Sequence, residues 1–123
     1  MKKADKKIAD TKTIDASGRT LGRVASEVAM FLMGKNRPSF ERNKYSGMKV
    51  TVVNASKLRI TPKKLAEIYH TRYSGIPGGL RIISGTETAS KLGLKELLKL
   101  ATYQMLPGNK LRREMMKNLK VQD

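Results

Sequence analysis

Val50-Thr51-Val52-Val53 is a run of four consecutive β-branched residues. A one-sided strand alternates apolar and polar positions, whereas a strand buried in a parallel sheet reads as a continuous apolar, branched run. This run therefore predicts an interior parallel strand. Upstream, Leu21, Val24, Ala25, Val28, Ala29 and Leu32 recur at the i, i+3, i+4, i+7 spacing of a helix face. They predict a helix over 21–33, with Thr20 as its N-cap and Gly34 as a left-handed stop. Before that helix, Thr13 to Ala16 forms a short strand candidate, closed by a turn at Ser17-Gly18-Arg19. Strand, helix and buried strand in this order predict a right-handed βαβ unit and an α/β fold.

Downstream, Leu58–Thr61 and Ile68–Tyr73 are further strand candidates on either side of Pro62-Lys63-Lys64. Leu94, Leu97, Leu98, Ala101 and Met105 return to helical spacing within 82–107, and Pro107-Gly108 ends the pattern. A last helix over about Lys110 to Asn118 places Leu111, Met115 and Leu119 on one side. Residues 1–12 form a basic flexible tail, and residues 13–123 form one α/β domain. At 123 residues, with 39% hydrophobic content, the chain builds one modest core. The seven methionines fall mostly at helical positions, as core filler.

Without cysteine there is no disulfide or thiolate zinc site, and the single histidine, His70, excludes a multi-histidine metal site. No run of about 18 apolar residues occurs, so no membrane span is predicted. Met1 to Lys12 lacks the apolar core of a signal peptide and the Arg/Ser composition of a transit peptide, which predicts a cytoplasmic protein. The charge carries more information. Lys and Arg number 26 against 10 acids, a net +16. Residues 34–81 hold eleven bases and two acids, a net +9, and residues 108–120 hold five bases and one acid, a net +4. The helical stretches 14–33 and 82–107 are nearly neutral. Charge placed on loops and ends, away from the core-forming pieces, predicts a polyanion wrapped by irregular segments.

Arg72-Tyr73-Ser74-Gly75-Ile76-Pro77-Gly78-Gly79-Leu80-Arg81 concentrates that prediction. Its glycines and proline break helix and strand alike, and an arginine stands at each end. A loop so poor in apolar surface is expected to be ordered by a phosphate backbone, which arginine grips in a forked geometry. Lys35, Arg37, Arg42, Lys44, Lys63, Arg81 and Arg112 are assigned to RNA binding on charge. The carboxylates are scattered singly, with no pair placed for acid–base work, so no catalytic residue is assigned. Neither glycine cluster matches a nucleotide-binding loop. With six aromatic residues and no visible stripe of rings, contact with phosphates of structured RNA is expected rather than single-strand base reading. On residues alone, a general binder of duplex DNA and RNA and a small nucleotide-binding enzyme stand as the rival readings.

Several fragments in order resemble the large-subunit ribosomal protein thirteen family in its bacterial form. They are Ile14-Asp15-Ala16, Leu21-Gly22-Arg23, Gly34-Lys35, Val53-Asn54-Ala55, Ser74-Gly75 with Pro77-Gly78-Gly79-Leu80, Met105-Leu106-Pro107, Asn109-Lys110-Leu111 and Leu119-Lys120-Val121. The resemblance spans Ile14 to Val121. It implies a three-layer α/β/α fold around a four-stranded, mainly parallel sheet with basic loop extensions. It also implies a structural, non-enzymatic constituent of the large ribosomal subunit that binds ribosomal RNA and supports early assembly. Neighbouring large-subunit proteins are implied partners; no cofactor, metal, membrane or small-molecule substrate is. RNA contact is implied for Lys35, Lys64, Arg72, Ser74, Gly75, Gly78, Gly79, Lys110 and Arg113. Four positions depart from the family pattern. Tyr73 replaces a histidine and is expected to contact RNA by stacking or through its hydroxyl. Pro62 and Gln104 each replace a glycine, and the acids that usually flank Gly47 are missing.

Overall fold

The computed structural model describes residues 11–123. Of the expected tail, residues 1–10 lie outside the described residues, while Thr11 and Lys12 already belong to the first strand. The elements run β1 (Thr11–Asp15), α1 (Leu21–Met33), β2 (Lys49–Val53), α2 (Pro62–Glu67), β3 (Tyr69–Tyr73), β4 (Leu80–Ser84), α3 (Gly85–Leu92), α4 (Leu94–Met105), α5 (Leu111–Lys117) and β5 (Leu119–Val121). A 3-10 turn at Ala55–Lys57 follows β2.

The fold is mixed α/β with a parallel sheet, ordered β1-β2-β5. β1 and β2 pair in parallel from Thr11–Lys49 to Asp15–Val53, with α1 as the crossover. The β-branched run occupies the centre, where both of its edges are bonded. Val50 and Val52 are fully buried, while Thr51 and Val53 on the opposite face are half-buried. Three strands, where four were expected, make up this sheet among the described residues. The other two, β3 and β4, leave it to form a separate antiparallel hairpin. Neither contains a fully buried residue, and His70, Arg72 and Arg81 give the hairpin a polar, charged face where an interior parallel strand is apolar on both.

α1 buries Leu21, Val24, Ala25, Val28, Ala29 and Leu32, the stripe its spacing specifies. With Leu97 and Leu98 of α4, Leu106, Met115 and the inward side of β2, these residues form the core. Each fully buried Leu or Val contributes roughly 1.5–3 kcal/mol relative to exposure. Gly34 ends α1 at φ 78°, where a Cβ would lie 2.7 Å from the Cβ of Ser46. Thr20, in contrast, makes no side-chain cap; its backbone bridges to Arg59 instead. That bridge is all that forms of the strand expected over 58–61.

Pro62 opens α2 at a first-turn position, where a proline lacks only an N–H that the helix does not use, and Thr61 Oγ1 accepts from the Lys64 N–H. Its substitution for glycine thus starts a helix. Of the methionines, Met48 and Met115 are buried, whereas Met30 and Met105 are exposed. Among the described residues no buried side-chain N or O atom lacks a hydrogen-bond partner. No helix there is long and apolar enough to cross a membrane.

Candidate nucleic-acid interface

The glycine-rich segment is the tip of the β3–β4 hairpin. Gly79 N–H donates to Ile76 O at 2.9 Å, enclosing Pro77 and Gly78, and Gly78 has φ 80°. Proline followed by a left-handed glycine inside a four-residue bonded loop is the signature of a type II turn. A Cβ on Gly79 would collide with Ser74 Oγ and lie 3.0 Å from Ile76 O, so the two ends of the tip close on each other. The chain itself therefore organises this loop, contrary to the expectation that an outside partner orders it. Ser74, Gly75 and Gly78 are exposed at the tip, and Gly79 is half-buried.

Behind the tip, Arg72 and Arg81 stand directly opposite each other across the two strands. Like charges in that relation repel. On the same face lie His70, whose Nδ1 is 3.4 Å from Gln104 Nε2 on α4, and half-buried Ile83. Gln104, where the family pattern has glycine, thus reaches the hairpin from α4. A groove of about 680 Å³ between hairpin, α3 and α4 is lined by Arg72, Arg81, Lys91 and Tyr103, among others. Lys91 Nζ donates to Glu87 at 2.7 Å. This hydrogen bond, the Lys91 charge and then Arg81 hold the Glu87 carboxyl below the ordinary glutamate range.

Most of the other predicted cations line three further depressions. Lys35, Arg42 and Lys44 line one of about 330 Å³, facing Asn109. Arg37 and Lys44 line a second of about 360 Å³; Arg37 Nη1 donates to Ser46 O at 3.4 Å, and Lys44 pairs with Glu41. Asn109, Lys110, Arg112, Arg113 and Tyr103 line a third of about 650 Å³. Asn109 Oδ1 accepts from the N–H groups of Leu111 and Arg112, which fixes the start of α5. The Arg112 guanidinium lies 3.9 Å over the Tyr103 ring and donates to its hydroxyl at 2.8 Å.

Shared side chains join these sites: Lys44 the first two, Asn109 the first to the third, and Tyr103 the third to the groove. Residues 35–44, the hairpin and residues 109–113, far apart in the chain, therefore line one stretch of surface. Glu41, Glu87, Glu96 and Glu114 interrupt it. Lys35, Arg42, Arg72, Arg81, Lys110 and Arg113 form no ion pair among the described residues. Lys63 and Lys64 sit exposed on α2 and line none of these depressions. Among the described residues no group of three or more His, Cys, Asp or Glu side chains is placed to hold a metal ion.

Sequence reasoning missed Tyr103, Lys91 and Tyr69. Tyr103 and Lys91 lie in helices whose net charge is near zero, so composition does not single them out. Tyr69 shares a face with Tyr73 by strand alternation, a signal that becomes readable once β3 is known to pair with β4.

A family model described as Ribosomal protein L13 matches residues 10–123. Over 109 residues the chain is 45% identical to the large ribosomal subunit protein uL13 of Natranaerobius thermophilus, covering 89% of this chain and 76% of that one. It is 46% identical to the protein of that name from Thermus thermophilus over 88% of this chain and 76% of the relative. For the protein of that name from Geobacter sp. strain M21 the identity is 44%, over 88% and 75%.

Proposed function

The chain belongs to the ribosomal protein L13 family, and from that premise we propose that it is a structural, non-enzymatic constituent of the large ribosomal subunit in a bacterial cytoplasm. In this reading it binds large-subunit ribosomal RNA through phosphate contacts, supports early subunit assembly and touches neighbouring subunit proteins. The observation that carries the RNA contact is the linked basic surface, in which cations from three distant segments form no ion pair among the described residues. The small core acts as a scaffold that holds Lys35, Arg42 and Lys44, the hairpin pair Arg72 and Arg81, and Lys110 and Arg113 at fixed separations. Arg37 and Arg112 join them from positions already braced by Ser46 and Tyr103. At the tip, Gly75 and Gly78 supply close backbone approach, because glycine puts no side chain between main chain and phosphate; Tyr73 contacts RNA by stacking or through its hydroxyl, and Ser74 and Gly79 complete the contact beside them. Lys63 and Lys64 extend the contact from α2.

Sedimentation of the tagged protein from lysate through a high-salt sucrose gradient tests this reading. Co-migration with the large subunit and its precursors is expected. Protein left at the top of the gradient, or bound equally to chromosomal DNA, would replace the ribosomal reading with that of a general nucleic-acid binder.

A further inference from the structure

We propose that the outer face of the β3–β4 hairpin is a stacking platform for unpaired nucleotides of large-subunit RNA, with Tyr69 and Tyr73 as the rings on which bases lie. The inference rests on the RNA-binding reading above and adds base contact to phosphate contact.

Strand alternation and the observed register divide the hairpin into two faces. His70, Arg72, Arg81 and Ile83 share the face turned toward α4, as the His70–Gln104 contact records. Tyr69, Thr71 and Tyr73 share the other with Leu80 and Ile82, which stand opposite Tyr73 and Thr71. Tyr69, Tyr73, Leu80 and Ile82 are 59–66% exposed. Two tyrosines four residues apart on one strand have Cα atoms about 13 Å from each other. Leu80 and Ile82 add exposed apolar surface beside them, with Thr71 between the two tyrosines and Ser84 opposite Tyr69.

Charge selects the occupant. Arg72 and Arg81 face each other on the reverse of this apolar face and form no ion pair among the described residues, the nearby Glu87 being paired with Lys91, and the chain as a whole carries +16. A second copy would meet like charge. An unpaired nucleotide brings both complementary features in one unit: a flat apolar base for the tyrosine face and a phosphate for the guanidinium pair. The glycines at positions 75 and 78 carry no side chain, so the main chain of the tip is open to close approach at those two points, on either side of the exposed Ile76 and Pro77.

The test uses the full chain with two probes: a large-subunit ribosomal RNA transcript, and a single-stranded oligoadenylate carrying one 2-aminopurine. Wild-type protein is expected to quench the 2-aminopurine. Tyr69→Ala and Tyr73→Ala should each weaken oligoadenylate binding by about 5- to 150-fold, the range of base–aromatic stacking, and should leave its salt dependence unchanged. Tyr69→Phe and Tyr73→Phe keep the ring and should bind as wild type, with circular dichroism reporting the fold of all four variants. Wild-type binding of the transcript without quenching of the oligoadenylate overturns the platform and leaves the RNA-binding reading standing. So does an alanine variant with unchanged affinity, or a phenylalanine variant as weak as alanine. Alanine variants that bind RNA normally yet fail to enter large-subunit particles would reassign the face to a protein neighbour. Failure of wild-type protein to bind the transcript would instead remove the RNA-binding reading itself.

Discussion

Asn54 has φ 58°, the one positive value at a non-glycine residue among the described residues. It sits where β2 ends and the chain turns into the 3-10 segment, and its Nδ2 donates to Asp15 Oδ1 at 3.0 Å. The same oxygen accepts from the Ser17 N–H at 2.9 Å, so one carboxylate ties together the exits of two neighbouring strands. Asparagine tolerates the left-handed region that a branched or alanine Cβ resists. Asn54→Ala is therefore expected to destabilise the fold by about 1–2 kcal/mol, and Asn54→Gly by less, as read from denaturant midpoints. The hydrogen bond from Asn54 first, then that from Ser17, holds the Asp15 carboxyl below the ordinary aspartate range. A depressed folded-state value means stability that is present above the unfolded-state value and lost as pH falls through the folded one. Unfolding midpoints followed downward from about pH 5 should therefore drop more steeply in the wild type than in Asp15→Asn, which has no proton to take up. Equal slopes would remove Asp15 from the acid response.

At the scale of elements, the hairpin is built against its own charge. Arg72 and Arg81 occupy one cross-strand position, an arrangement that costs roughly 0.2–1 kcal/mol when the charges are alike. Arg72→Gln or Arg81→Gln should raise the thermal midpoint of the RNA-free protein slightly. Either change should also weaken RNA binding and reduce its log–log salt slope by about one. A variant that loses stability without RNA would show that the pair is not repulsive in the folded chain. The elements differ in how far they were legible. α1 was readable to its last residue because its 3.6-residue apolar stripe coincides with the buried face, and β2 because a central parallel strand is apolar throughout. β4 was concealed, since Leu80 and Ile82 continue into a helical stretch and their strand state depends on pairing with β3. β5 is three residues long, too short to show an alternation, and exists through its bonds to β2.

For the molecule as a whole, electrostatics governs the expected RNA affinity. If about ten phosphates are neutralised, the log–log dependence of affinity on salt should have a slope between roughly −7 and −9, measured on the large-subunit RNA transcript. A slope near −2 would mean that only a few of the proposed cations touch RNA. The sequence by itself determined the central βαβ unit, the segregation of charge onto loops and ends, and the family, because periodicity, composition and ordered motifs are properties of neighbouring residues. Only the tertiary structure decided that the hairpin stands apart from a three-stranded sheet. It alone brought residues 35–44 to Asn109, and it placed Tyr103 between Arg112 and the hairpin groove. Those relations depend on strand pairing and on the packing of α1 against α4, contacts between residues far apart in the chain whose free energy no local pattern records.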